Sequence, residues 1–409
     1  WDEIYSNKRM LGGFIWEWAD EGIFKGKKVC YGGDFGDKPN LGAFCVKGIV
    51  SSDRKTTPKY FEVKQVYSPV KITCDNGKYS LLAMDSTTDL NDYKLVVKKD
   101  KYATHASAVL CKDKPWAKAG FEIFHTQFDS KQPEKIKPLQ ARPAGKIDED
   151  ALIKSAKEWF AHTVRPHFFR APTDNDKGFG NWIAKDWKKA HLDSAKEEVV
   201  KPMETEILKD GTVKVTTTII YRYMNGDIRT EYEYIFNGEG NVDFFARYIP
   251  EGSLPTLPCI GNTLVLPKDM RNIKYCGYGP LDNYPDRKEA ASFGEWKSTV
   301  DEQYTHYPRP QDNGNHCDTR WIEITNGKKC GMKIEALDKA FNFEALSYSV
   351  SQIYNAKHDC ELKTEDNVFL HIDVAVLGLG NSSCGPGVLK RYTIEPMPHT
   401  LHLRITKIK

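Results

Sequence analysis

The 409-residue chain lacks several common signatures. No apolar run approaches the roughly 18–20 residues that a membrane-spanning helix needs. Charge of one sign is not in excess: the formal net charge is +3. That bias predicts neither a nucleic-acid partner nor a membrane surface. The ten cysteines include no CxxC pair, which argues against a zinc ribbon or a dithiol redox motif. They read as mostly free, buried thiols, so the expected compartment is cytoplasmic or periplasmic, the cytoplasm being favoured. Neither HExxH nor GxSxG occurs, and the eleven histidines show no paired-ligand spacing. The first residues carry no signal-peptide pattern, and no internal repeat is visible.

What is present is β pattern and aromatic content. A single core rarely exceeds ~250–300 residues, so two or three domains are expected. Aromatics reach 12%; exposed aromatics suit sugar faces, although burial is their commoner fate. Residues 1–28 read as a short helix (Trp1–Met10), a turn at Gly12-Gly13 and the strand "FIWEW". Residues 29–58, rich in Gly, Asp, Pro and Asn, read as ordered turns and loops. From 70 to 128, "YSLLAMD", "YKLVVKK", "HASAVLCK" and "FEIFHTQF" have the length and spacing of an immunoglobulin-like sandwich. A Pro/Lys-rich linker follows at 130–146, and from about 147 long alternating stretches predict a large two-sheet sandwich. One helix is expected at 181–192, "NWIAKDWKKAHL".

Three stretches could carry chemistry. In "GGFIWEW", Phe14, Trp16 and Trp18 share one strand face, so Trp16 is either a core residue or an indole platform for a sugar ring. "YGGDFGDKPNLGAFCVKGIV" is either a turn-rich crossover or a loop whose glycines admit a ligand close to the backbone. "RAPTDNDKGFGNW" is either a capped loop or a hinged one with Phe179 at its tip. A calcium loop is disfavoured there, because the EF-hand spacing is lacking. "GLGNSSCGPGV" is not a phosphate loop, because no Lys-Ser/Thr follows.

Taken in order, "GGFIWEWADEGI", "YGGDFGD", "FCVKGIVSSDR", "FFRAPTDND", "GYGPLDNYPDRKEAA", "YPRPQDNGNHCDTRW", "FNFEALSYS" and "GLGNSSCGPGV" resemble the C-terminal portion of the large family 2 glycoside hydrolases, the long β-galactosidases. The resemblance covers nearly the whole chain. It implies a mainly β fold: an immunoglobulin-like β-sandwich (66–130), a linker (131–146) and a large, galactose-mutarotase-like β-sandwich (147–409). The last βα segment of a (β/α)8 barrel (1–28) and an active-site loop (29–65) would precede them.

The implied activity is retaining hydrolysis of terminal β-D-galactose, as found in lactose. The chain alone is expected to be inactive, since both family glutamates would lie upstream of Trp1 and none of Glu3, Glu17 and Glu21 matches their motif. No catalytic residue is therefore assigned here. Trp16 matches the family's sugar platform, with a cis peptide expected to Glu17. Phe44 matches a gating phenylalanine whose carbonyl binds sodium, and Phe179 matches a mobile active-site loop. Lys47 replaces a sodium-ligating Asn; its ammonium would supply the ion's charge by reaching an upstream aspartate. Magnesium and sodium are implied for the full-length enzyme, and none for this chain alone. Where some members carry a sugar-stacking tryptophan, this chain has Lys329. Implied partners are a β-galactoside, the N-terminal domains of the enzyme and further copies of the chain. The competing readings are a separate small subunit that complements a catalytic chain, and a carbohydrate-binding module.

Overall fold

The computed structural model describes residues 1–130, 165–178, 182–237, 241–328 and 330–408. The linker expected at 131–146, as well as Phe179 and Lys329, lies outside them. The architecture is mainly β, as expected.

The chain begins with α1 (Asp2–Ser6), shorter than the helix expected over Trp1–Met10. Trp1 stacks on Tyr67 with ring centroids 4.3 Å apart. Residues 14–18 do not form a strand. They bend at Trp16 and Trp18 and are largely exposed, with Phe14 at 102%, Trp16 at 77% and Trp18 at 58% relative accessibility. A strand exists by pairing, and the backbone bonds this segment makes run to residues 49–50. Ile49 N–H donates to the Glu17 carbonyl (3.0 Å) and Val50 N–H to the Trp18 carbonyl (2.9 Å).

A small hairpin follows, β1 (Ile23–Lys25) with β2 (Lys28–Cys30), then a 3₁₀ turn at Gly42–Cys45. Helix α2 (Pro58–Val66) was not expected; proline at its first position presets the helical φ.

Five strands then build two small facing sheets: β3 (Val70–Asp75) with β4 (Lys78–Ala83), and β5 (Tyr93–Lys99), β6 (Thr104–Leu110) and β7 (Glu122–Phe128). Val70, Ile72, Ala106, Ala108 and Phe124 fill the space between them. The link from β5 to β6 is a tight turn in which Asp100 N–H donates to the Ala103 carbonyl (3.0 Å).

The large unit starts with β8 (Arg165–His167), α3 (Asp174–Lys177) and α4 (Ile183–Ala190). Its strands continue as β9 (Lys196–Ile207), β10 (Val213–Arg222), β11 (Gly226–Phe236), β12 (Asn241–Gly252), β13 (Cys259–Pro267), β14 (Asn272–Gly279) and β15 (Ser292–Thr299). After α5 (Val300–Gln303) come β16 (His316–Thr319), β17 (Trp321–Thr325), β18 (Gly331–Ala336) and β19 (Phe341–Leu346). Helix α6 (Val350–Asn355), β20 (Asn367–Val376) and β21 (His399–Ile408) complete it.

Nine strands make one antiparallel sheet in the order β15-β14-β17-β18-β21-β12-β11-β10-β9. Five make the other, β16-β19-β20-β13-β8. Alternation decides which side chains enter the core. In β11, Ile228, Tyr232, Tyr234 and Phe236 point inward, and they meet Phe341, Phe343, Leu370 and Ile372 of the second sheet. Trp187 of α4 is fully buried at one end, its indole N–H donating to the Thr256 carbonyl (2.7 Å).

The units are tied together by polar contacts. Glu62 of α2 accepts the N–H groups of Glu289 and Ala290, each at 3.0 Å. Gln127 of β7 exchanges two bonds of 2.7 Å with the backbone of Phe293. The 29–40 loop lies on the large sandwich: Tyr31 stacks on His358 at 4.5 Å, and Asp34 bonds His358 Nε2 at 3.0 Å. All ten cysteines are free thiols. The expectation that most are buried is corrected, since five are exposed: Cys74, Cys111, Cys330, Cys360 and Cys384.

Candidate functional site

A cavity of about 1350 Å³ opens where the N-terminal segment meets the large sandwich. Trp16, Phe44 and Lys47 line it, so three of the four expected site residues share one space. The fourth, Phe179, lies outside the described residues; its neighbours Lys177, Gly178 and Trp182 line the same cavity.

The N-terminal wall is built by charge pairing. Lys47 Nζ reaches Glu17 (3.0 Å) and Glu21 (3.1 Å) and sits 5.4 Å from the centre of the Phe44 ring. Burial opposes its ammonium, but the bonds to Glu17 and Glu21 outweigh that and raise its pKa. Within this chain, then, the partners of Lys47 are two glutamates. The Trp16–Glu17 peptide is cis, as expected.

The buried Asp20 accepts the Gly48 N–H at 2.7 Å, and burial raises its pKa. Gly48 must be glycine: a Cβ there would stand 2.0 Å from Asp20 N. Lys59 donates to the Gly48 carbonyl (2.6 Å), and burial lowers its pKa.

The opposite wall comes from "RAPTDNDKG". Thr173 Oγ1 accepts Asp176 N–H (3.2 Å) and Asp176 accepts Thr173 N–H (2.8 Å), so α3 is capped reciprocally. Arg170 holds Asp176 at 2.9 Å, both fully buried, and gives further bonds to the carbonyls of Leu377 and Gly378. Asn175 fastens the loop to the glycine-rich stretch by donating to the Gly380 carbonyl (2.6 Å) and accepting Ser383 N–H (3.3 Å). A Cβ on Gly178 would stand 2.0 Å from the Ser382 carbonyl oxygen, so only glycine fits. Asp174 takes an N–H bond from Gln311 (3.2 Å) and faces Arg309 at 3.8 Å. Burial and the Arg309 charge push the Lys177 ammonium down to about 8.

The sequence reading missed Lys59, Lys177 and Arg309. Lys177 and Arg309 sit in stretches already singled out, "RAPTDNDKGFGNW" and "YPRPQDNGNHCDTRW", but neither was picked from its stretch. The one usable signal was the position of Lys177 beside "PTDND".

A sodium ion takes a shell of oxygen donors, as hard cations do. At Phe44 the neighbouring positive charge is the Lys47 ammonium, so the side chains present do not fit that shell. No step is derived through a metal.

A model of the β-galactosidase small chain matches residues 144–406, well over half of the sequence. The chain belongs to the β-galactosidase small-chain family. A second model, the TIM-barrel domain of family 2 glycosyl hydrolases, matches residues 1–72. Similar proteins include the β-galactosidases of Vibrio cholerae (28% identical, all of this chain, 46% of the relative) and Streptococcus thermophilus (29%, 90% of this chain, 41% of the relative). That of Kluyveromyces lactis is 28% identical over 96% of this chain and 43% of its own length. The chain thus spans less than half the length of these curated relatives. Among solved structures, a putative aldose 1-epimerase from Escherichia coli K12 aligns with 77% of this small-chain family member and 99% of its own chain. Its identity is 9% and its TM-score 0.30, too loose for any argument.

Proposed function

We propose that this chain is part of a retaining β-galactosidase that removes terminal non-reducing β-D-galactose from β-galactosides, and that it supplies one side of the active site. One observation carries the reading. A single cavity draws together Trp16 from the barrel-like segment, Phe44 and Lys47 from the loop, and the 172–178 loop of the sandwich. An exposed indole can stack on the C–H face of a galactose ring. Fixed polar groups around it would orient the hydroxyls.

Retaining hydrolysis needs a nucleophile and an acid/base, two carboxyls about 5–5.5 Å apart. Glu17 and Glu21 instead share the Lys47 ammonium. Both catalytic groups are therefore assigned to the part of the relatives that this chain does not span. The exposed strip of Phe14, Trp16 and Trp18 supports the same division, because an unpaired apolar edge invites another strand.

The test is hydrolysis of o-nitrophenyl β-galactoside by the isolated chain and by the full-length enzyme. The full-length enzyme should turn over and the isolated chain should not; activity of the chain alone would sink the proposal. A second reading, a separately encoded small subunit that complements a catalytic chain, is favoured by the small-chain match over 144–406. Mixing the isolated chain with the remaining domains tests that reading, which requires activity to return.

A further inference from the structure

The cavity wall holds an excess of positive charge that its own carboxylates do not balance. Its lining includes no glutamate and four aspartates, and each aspartate is engaged. Asp174 faces Arg309 at 3.8 Å, and Asp282 pairs with Arg287 at 3.2 Å. Asp286 accepts the N–H groups of Leu379 and Gly380, each at 2.8 Å. Asp312 accepts the Tyr284 hydroxyl at 2.7 Å. Lys47 is matched by two glutamates. Five cations of the wall, Lys59, Lys177, Lys185, Lys188 and Arg391, have no carboxylate within ion-pair distance among the described residues, and Lys59 is held by the Gly48 carbonyl. Apart from Lys59, these cations come from the large sandwich.

From this geometry we infer that the enzyme prefers β-galactosides whose leaving group carries an anion, a carboxylate or a sulfate, bound by the sandwich wall with Lys177 as its principal contact. The inference rests on the reading of Trp16 as the galactose platform. With the galactosyl ring on Trp16, a leaving group that reaches the sandwich wall of the same cavity would meet these cations. A cleft lined by one sign of charge focuses its field on an entering ligand and raises its local concentration. Lys177 is half-buried whereas Lys185, Lys188 and Arg391 are exposed, so an anion there would gain a charge-assisted bond with less water to displace. Such a contact assists binding and takes no part in bond cleavage.

The experiment uses the full-length enzyme and matched substrates: lactitol, which is neutral and open-chained, lactobionate, its carboxylate counterpart, and β-galactosyl-glucose 6-sulfate against lactose. At low ionic strength, kcat/KM for each anionic substrate should exceed its neutral match by about fivefold or more, an electrostatic gain that about 0.5 M salt should remove. Lys177→Gln should collapse the ratio and Lys177→Arg should restore it. If Lys177→Gln does not accumulate, Lys188→Gln, at an exposed position of α4, should lower the ratio in the same direction. Preference for one anion alone would narrow the ligand to that chemistry. Ratios near one, or ratios unmoved by both salt and substitution, would overturn the inference and mean that carboxylates elsewhere in the enzyme neutralise the wall. Failure to hydrolyse lactitol, lactose and o-nitrophenyl galactoside alike would instead remove the galactosidase reading on which it stands.

Discussion

Two short stretches of nearly the same chemistry meet opposite fates. "FIWEW" at 14–18 and "FNFEAL" at 341–346 both alternate aromatic residues with others. Phe341 and Phe343 are fully buried, and their strand pairs with β16 and β20. Phe14 is fully exposed and its strand has not formed. Local pattern specifies which face would be buried. Only a partner strand decides whether burial happens.

The largest test of that contrast is Phe343→Ala. It should cost the isolated chain about 3–5 kcal/mol by urea denaturation, the range for a large aromatic lost from a packed core. Asp176→Ala should cost nearly as much, about 3–5 kcal/mol, because it strands the buried Arg170 guanidinium. Either loss below about 1 kcal/mol would mean that the sandwich is looser than its packing indicates.

Next comes pH. Burial pushes His316 down to about 4 from its ordinary 6.5, while its ring meets Gln303 at 2.5 Å and Tyr275 at 3.1 Å. A histidine kept neutral in the fold binds its proton more readily when unfolded. Its contribution is therefore complete above pH 6.5 and is lost as pH falls toward 4. Stability should drop by roughly 2–3 kcal/mol over that window through this group. His316→Gln should flatten the profile; an unchanged slope would assign acid sensitivity elsewhere.

On the N-terminal side the effects are smaller and are read as activity. Trp16→Ala in the full-length enzyme should lower kcat/KM about tenfold, equivalent to the ~1.4 kcal/mol that aromatic stacking can supply. The smallest effect sharpens the contrast most. Phe14→Ala should change the isolated chain by less than about 0.5 kcal/mol, as exposed sites do. In the full-length enzyme the same change should destabilise markedly, if the remaining barrel strands cover that face.

Much of the large sandwich was legible, because its strands alternate cleanly. "RTEYEYIF" places every second residue in the core, and "HTLHLRITKI" places Leu401, Leu403 and Ile405 there. Strand β9 carried no such signal, since it is exposed along almost all of its length. Helix α2 was missed because it buries only Pro58 and Gln65, so no apolar stripe marks it. The cysteines misled, because a thiol's burial has no period to read. At the cavity, strand pattern left Trp16 open between core and sugar platform, and Phe44 and Lys47 could be named only because ordered motifs matched a family. Lys59 and Lys177 depend on which loops meet in space, and that is settled by packing far away in the chain.

The clasp between Tyr31, Asp34 and His358 also redraws the borders of the molecule. The loop that carries Phe44 follows the barrel-like segment in sequence, yet Lys28 (2.8 Å) and His358 (3.0 Å) hold Asp34 from the two sides of that seam. A cut after residue 28 would break the β1–β2 hairpin and part Lys47 from Glu17 and Glu21. A cut after residue 66 would instead tear a wall from the room it encloses. Anyone dividing this protein into independently made pieces should therefore follow the clasp and keep residues 1–66 with the sandwich.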